Sequence, residues 1–169
     1  MPKKILIWFS LVIAILICSG LLLFAQEEPS IPKVETPSRP LLVNSYELNW
    51  LNPPAGVRKG ARVALVHGIP ASEPYAQFVK VPRGYAFKPH FHEQDESVLL
   101  LSGTVVVGFG DKIDQEKGTV LTSGAYGFIP AGKAHWAVAK TDAMFYQHVS
   151  GPASVTYVHP EDDPRNTAR

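Results

Sequence analysis

The 169-residue chain carries 16 basic and 15 acidic residues, for a formal net charge of +1, and is 46% hydrophobic. That length suits one domain with a sizeable core plus appendages, and the apolar content excludes general disorder. The near-even charge, with no basic stripe, excludes a nucleic-acid partner.

The first element is an uncharged run, residues 5–25 (ILIWFSLVIAILICSGLLLFA), behind Lys3 and Lys4. It lacks the amphipathic pattern of a buried core helix. It is longer than a signal-peptide core of about 7–15 residues and reaches the roughly 20 needed to span a bilayer. Residues 1–25 are therefore read as an export signal or an N-terminal membrane anchor. Either keeps the lysines on the cytoplasmic side and sends the remainder outward, so an extracytoplasmic location is expected, with membrane contact only through this segment. Cys18 is the only cysteine, which rules out an intrachain disulfide. Residues 26–45 follow as a linker, and its first part, QEEPSIPKVETPSRP, holds four prolines. At about 3.1 Å per residue in polyproline geometry that part could span roughly 45 Å, a length that favours a retained anchor.

From residue 46 to 160 the pattern changes to short runs rich in Val, Leu, Phe, Tyr and Thr, broken by Gly, Pro or charged clusters. Strands are expected at 46–51, 62–67, 76–81, 85–92, 96–101, 104–109, 119–121, 125–129, 135–139, 143–149 and 155–159. No stretch beyond residue 25 sustains helical periodicity, so the fold class is all-β, a sandwich or a closed barrel. GDKIDQEKG, 110–118, reads as a solvated hairpin loop rather than an ion site at Asp111, Asp114 and Glu116. The tail, 161–169, reads as frayed. On the 96–101 strand both faces are apolar, which suits an intrachain sandwich or a homodimer equally.

Within GYAFKPHFHEQDESVLLLSG, residues 84–103, His90 and His92 stand two apart, so on a strand they project to the same side. Their rings could converge on one cation at about 2.0–2.1 Å per ring nitrogen. A turn through the polar residues 93–95 returns Glu96 on the next strand, able to offer a carboxylate to the same point. Two imidazoles and a carboxylate form an incomplete divalent-metal site. GAYGFIPAGKAHW, 124–136, supplies a fourth ligand, His135, after a Pro-x-Gly turn. His67, read as sharing a strand face with Val63 and Leu65, is expected to be a wall residue, and His148 and His159 structural or exposed. Tyr126, Phe128, Trp136 and Tyr146 are open to two readings, pocket lining or core packing.

These two segments resemble the paired motifs of the cupin superfamily. Gly84, His90, His92, Glu96 and Gly103 match every position of the first motif. Gly124, Pro130, Gly132 and His135 match the second, whose final Asn is Ala139 here. The resemblance covers roughly residues 60–158 and implies a single-domain antiparallel β-barrel of jelly-roll topology. It implies one divalent metal ion (Mn, Fe, Cu, Zn or Ni) held by His90, His92, Glu96 and His135. The glycines have their own reason, since Gly103, Gly124 and Gly132 suit tight turns with positive φ.

Three imidazoles and one carboxylate leave open coordination positions for water, dioxygen or a chelating small molecule. The leading expectation is a metal-dependent enzyme, a dioxygenase or related lyase, acting on a small oxygen-rich substrate. The rival is a non-catalytic, metal-dependent ligand-binding or sensing module, and a third reading is a purely structural barrel. No catalytic residue beyond the ligands, and no organic cofactor, is read from the sequence.

Overall fold

The computed structural model describes residues 40–166. The expected signal or anchor at 1–25 lies outside them, and among the described residues no helix is long and apolar enough to cross a membrane. Among the described residues ten strands form: β1 Arg62–Gly68, β2 Tyr75–Val81, β3 Ala86–Phe91, β4 Glu96–Ser102, β5 Thr104–Phe109, β6 Thr119–Thr122, β7 Tyr126–Ile129, β8 His135–Ala139, β9 Ala143–Val149 and β10 Thr156–Tyr157. They make two five-stranded sheets, in the orders β1-β2-β9-β4-β7 and β10-β3-β8-β5-β6. Every pairing of these strands is antiparallel. The chain crosses between sheets after β2, β3, β4, β6, β7, β8 and β9, as the jelly roll of the cupin resemblance requires.

Period-two alternation decides which side chains fill the space between the sheets. In the first sheet Val79 and Val81 of β2, Ala143 and Phe145 of β9 and Leu100 of β4 face inward. The second sheet contributes Val105 and Ala139, and Ala61 and Tyr85 close the same cluster. Phe87 packs edge-on against Tyr85 and Phe145, with ring centroids 4.9 and 6.0 Å apart. Ala139, where the cupin motif has Asn, is 2% exposed inside this apolar cluster. Its backbone is tied to Tyr85 and Gly84, at 2.9 and 2.8 Å.

Three expectations need correction. Residues 46–51 are not a strand: Asn44 and Glu47 close a turn, and only Leu51 bridges to Val63. Pro53 and Pro54, which lack amide hydrogens, lie two and three positions beyond Leu51 and stop the pairing from continuing on that side. The tail is not frayed through residue 166. Pro160–Asp162 forms a 3₁₀ turn, Arg165 donates to the Val155 carbonyl at 3.0 Å, and Asp162 lies 3.5 Å from Lys88. His67 does not share a face with Val63 and Leu65, because a bulge between Leu65 and His67 shifts the register and pairs His67 with Ala76. The doubly apolar strand resolves into an inward Leu100 and an outward Leu99, which lies in a cross-strand row with Phe78, Tyr146 and Tyr126.

The 110–118 loop is a turn held by a 2.8 Å pair between Lys117 and Asp114 at the surface. Beneath it Trp136 is buried on the outer side of β8, against Gly108 and Gly118, where a Cβ would come within 2.2 and 2.9 Å of the indole. Gly103, Gly124 and Gly132 all have positive φ, as expected.

Gly103 turns β4 into β5 at φ +89°, and a Cβ there would lie 2.3 Å from the Asp142 carbonyl oxygen and 2.8 Å from the Ala143 Cα. Strain and backbone overlap therefore act together. Gly103→Val should lower stability by about 2–4 kcal/mol in urea unfolding, and a loss below about 0.5 kcal/mol would show that this turn relaxes freely.

Candidate metal centre

The ladder of the second sheet sets His90 of β3 directly opposite His135 of β8. Between Phe87 and His90 the register shifts, with Pro89 inside the irregular stretch. Proline has no amide hydrogen for the ladder, so a bulge is where a strand tolerates it. The bulge lets Phe87 reach the core while His90 also faces inward. After β3 the chain crosses to the first sheet, where β4 opens on Glu96. The turn before β8 is pinned to the end of β3: the Gly132 amide donates to the His92 carbonyl at 2.7 Å, and the Ala131 amide to Asp95 at 2.8 Å.

The four residues are thereby brought together at one end of the space between the sheets. His90, Glu96 and His135 are 7%, 5% and 5% exposed, and His92 is half-buried. Ring centroids are 4.3 Å apart for His90 and His135, 4.9 Å for His90 and His92, and 5.4 Å for His92 and His135. Each imidazole turns its Nδ1 to a backbone carbonyl: His90 to Lys88 at 2.6 Å, His135 to Lys133 at 3.0 Å, and His92 to Ser154. A carbonyl only accepts, so in the neutral ring Nδ1 carries the hydrogen and Nε2 keeps its lone pair. One ring nitrogen from each of the three histidines lies within 4.8 Å of the others, and the three could hold a metal ion.

The Glu96 oxygens have different surroundings. Oε1 accepts from the Gln147 side-chain amide at 2.5 Å. Oε2 is buried with no hydrogen-bond partner, 3.4 Å from Nε2 of both His92 and His135. That separation is too long for a good N–H···O bond. It matches the spacing of roughly 3.0–3.4 Å between two atoms that each lie about 2.1 Å from a shared ion. The donor set, neutral nitrogens with one anionic oxygen, suits a divalent transition metal. Burying that carboxylate oxygen among the imidazoles is costly unless a cation, a metal ion or a proton on His135, compensates it, and the residues fit a divalent ion there.

The titration behaviour follows from the same crowding. Burial first, then the neighbouring His135 and His92, push the His90 pKa down to about 3. Burial raises the Glu96 pKa, but His135, His92 and the Gln147 amide outweigh it and hold the carboxyl down to about 2. For His135, burial lowers the pKa and Glu96 more than compensates, leaving it raised.

The other candidates lie elsewhere. His148 pairs with Ala76 and Ser97, on the outer face of the first sheet, and the His159 ring meets the Asp111 carbonyl at 2.8 Å. Tyr126 and Phe128 are exposed, Tyr146 stacks edge-on with Phe78, and Trp136 is buried beneath the 110–118 loop, so none of the four lines the histidine cluster. The aromatic rings near it are instead Tyr157 and Phe87, 6.0 and 6.5 Å from the His90 ring. Tyr75 is close enough for Glu96 to raise its pKa, an effect second to that of its own burial. Gln147 and Gln77, which lie behind Glu96, carried one readable signal: each is the polar member of an otherwise apolar inward row.

No curated protein sequence matches this chain. Among solved structures, the acetylacetone dioxygenase from Acinetobacter johnsonii is 22% identical, with a TM-score of 0.58 over 78% of this chain and 85% of that one. The polyketide cyclase RemF from Streptomyces resistomycificus is 20% identical, with a TM-score of 0.59 over 76% and 92%. KdgF from Halomonas sp. is 23% identical, with a TM-score of 0.54 over 69% and 96%. At these identities the likeness is one of fold. The profile of the ChrR cupin-like domain matches residues 38–154, well over half the sequence. The chain is thus a small cupin and belongs to the ChrR cupin-like domain family.

Proposed function

We propose that this is an extracytoplasmic metal-dependent enzyme, a dioxygenase or related lyase, acting on a small oxygen-rich molecule. His90, His92, Glu96 and His135 hold its single divalent ion, one of Mn, Fe, Cu, Zn or Ni. The observation that carries this reading is the buried Glu96 Oε2, without a hydrogen-bond partner and 3.4 Å from two imidazole nitrogens. The solved acetylacetone dioxygenase of the same fold supports the reaction class by analogy. The outward location rests on Lys3, Lys4 and the apolar run at 5–25.

A bound ion supplies Lewis acidity and, for manganese, iron or copper, a change of oxidation state. The chain's own part is to present three neutral imidazoles whose Nδ1 hydrogens are already donated, together with one carboxylate oxygen. Phe87 and the apolar core behind it exclude water from the inner side of the site. A second reading, a ligand-binding or sensing module, is favoured by one observation. The three Nδ1 atoms and Glu96 Oε1 are committed to protein partners, so these four side chains keep no spare proton carrier.

Protein isolated from its own outer compartment should carry about one ion per chain by elemental analysis. His90→Gln or His135→Gln should weaken binding at least about 100-fold in a competition titration, and stoichiometrically empty protein that refuses reloading would overturn the proposal. An exported chain meets whatever ions its compartment holds, and copper and zinc bind nitrogen and oxygen sites more tightly than manganese or iron. Zinc in such a sample would therefore count against redox chemistry. Loaded protein under air is expected to consume a diketone, phenolic or dicarboxylate; reversible binding without product would select the sensing module instead.

Acid should destabilise the metal-free protein. The folded pKa of His90, about 3, lies below its ordinary 6.5, so between these values the unfolded chain takes up a proton that the folded one refuses. Glu96, held at about 2 against 4.5, acts in the same sense at lower pH. His135, with its raised pKa, partly offsets both. The thermal midpoint of chelator-treated protein should fall as pH drops from 6.5 to 4.5, and His90→Gln should flatten that slope.

A further inference from the structure

Behind Glu96 stands a chain of two side-chain amides that crosses three neighbouring strands of the first sheet. Gln147 on β9 donates from Nε2 to Glu96 Oε1 at 2.5 Å, and Gln77 on β2 donates from its Nε2 to Gln147 Oε1 at 2.5 Å. The ladder places Gln77 directly opposite Gln147, on the inward face that farther along carries Val79 and Phe145. Two amides in that row are out of keeping with the packing around them, and a buried amide is retained at a cost unless it is bonded.

The direction of the chain is set at its Glu96 end. An ionised carboxylate only accepts, so Gln147 must present its NH₂ group to it. The Gln147 carbonyl then points the other way and must receive a donor, which Gln77 supplies. One carboxylate oxygen is thereby occupied, and the other is left bare toward His92 and His135.

We propose that Gln147, itself held by Gln77, is a positioning residue that makes Glu96 a ligand through Oε2 alone. This rests on the metal-site reading above. Without the Gln147 donor the carboxylate can rotate, offering both oxygens to the ion or leaving it. Gln77 acts only through Gln147, by preventing that amide from flipping.

The test uses the full chain loaded with Co²⁺, whose visible spectrum reports coordination number and carboxylate mode. Gln147→Leu is expected to weaken cobalt binding about 10- to 100-fold, the usual effect of removing a group that orients a ligand, and to change the band pattern. Gln77→Leu should do the same to a smaller extent, and its effect should vanish in the Gln147→Leu background, because the two form one chain. Gln147→Met, which keeps the length but removes the donor, serves as a second variant should the leucine protein fold poorly. Unchanged affinity and spectrum in Gln147→Leu or Gln147→Met, whatever their thermal midpoints, would overturn the positioning role. In that event a loss of affinity in Glu96→Gln would leave the metal-site reading standing. Wild-type protein that takes up no cobalt overturns both.

Discussion

Glu96 opens β4 just where the chain has crossed from one sheet to the other, and its Oε2 faces imidazoles that come from the opposite sheet. Uncompensated, that oxygen would be a buried anion with no donor, and its desolvation would cost several kcal/mol. A cation shared with His90, His92 and His135 would remove the penalty and join the two sheets at the same stroke. The surrounding bonds make sense in that light. The Gly132-to-His92 and Ala131-to-Asp95 bonds hold the turn before β8 against the end of β3, fixing the relative height of residues from separate hairpins.

The inward face changes character along its length. Gln77, Gln147 and Glu96 stand toward the histidines, while Val79, Val81, Leu100, Ala143 and Phe145 fill the opposite end on the same strands. One end of the barrel is thus held by apolar burial and dispersion, while at the other the buried Tyr75, Ile129 and Val149 share the interior with directional bonds that need partners of the right chemistry. The polar end is where geometry has to be accurate, and it is also where the backbone is most irregular.

Much of this was legible in the sequence because it depends on spacing. The spacing of the His90/His92 pair, Glu96, and His135 behind Pro130 and Gly132 places them at one point, and ten strands fall close to their expected ranges. What escaped was whatever a bulge or a distant partner decides. His67 changed faces because one extra residue intrudes after Leu65. Residues 46–51 had strand-like composition and β1 leaves an edge free, but the turn at Asn44 and Glu47 takes the first half of the run and only Leu51 bridges to Val63. Tyr126 and Phe128 carry large aromatic rings, yet the register of β7 puts both on the outer face, opposite Leu99 and Ser97. Gln77 and Gln147 are 70 positions apart, so their bond could not be read from local pattern.

The irregularity at Pro89 has one more implication. Phe87 and His90 are three positions apart, and on an unbroken pleat they would leave by opposite sides. Both point inward only because the ladder slips between them. The interval from core to ligand on that strand is therefore a matter of even and odd: residue types within it can vary, but its length cannot. One insertion or deletion there would evert the imidazoles to solvent while leaving the hydrophobic half of the barrel intact.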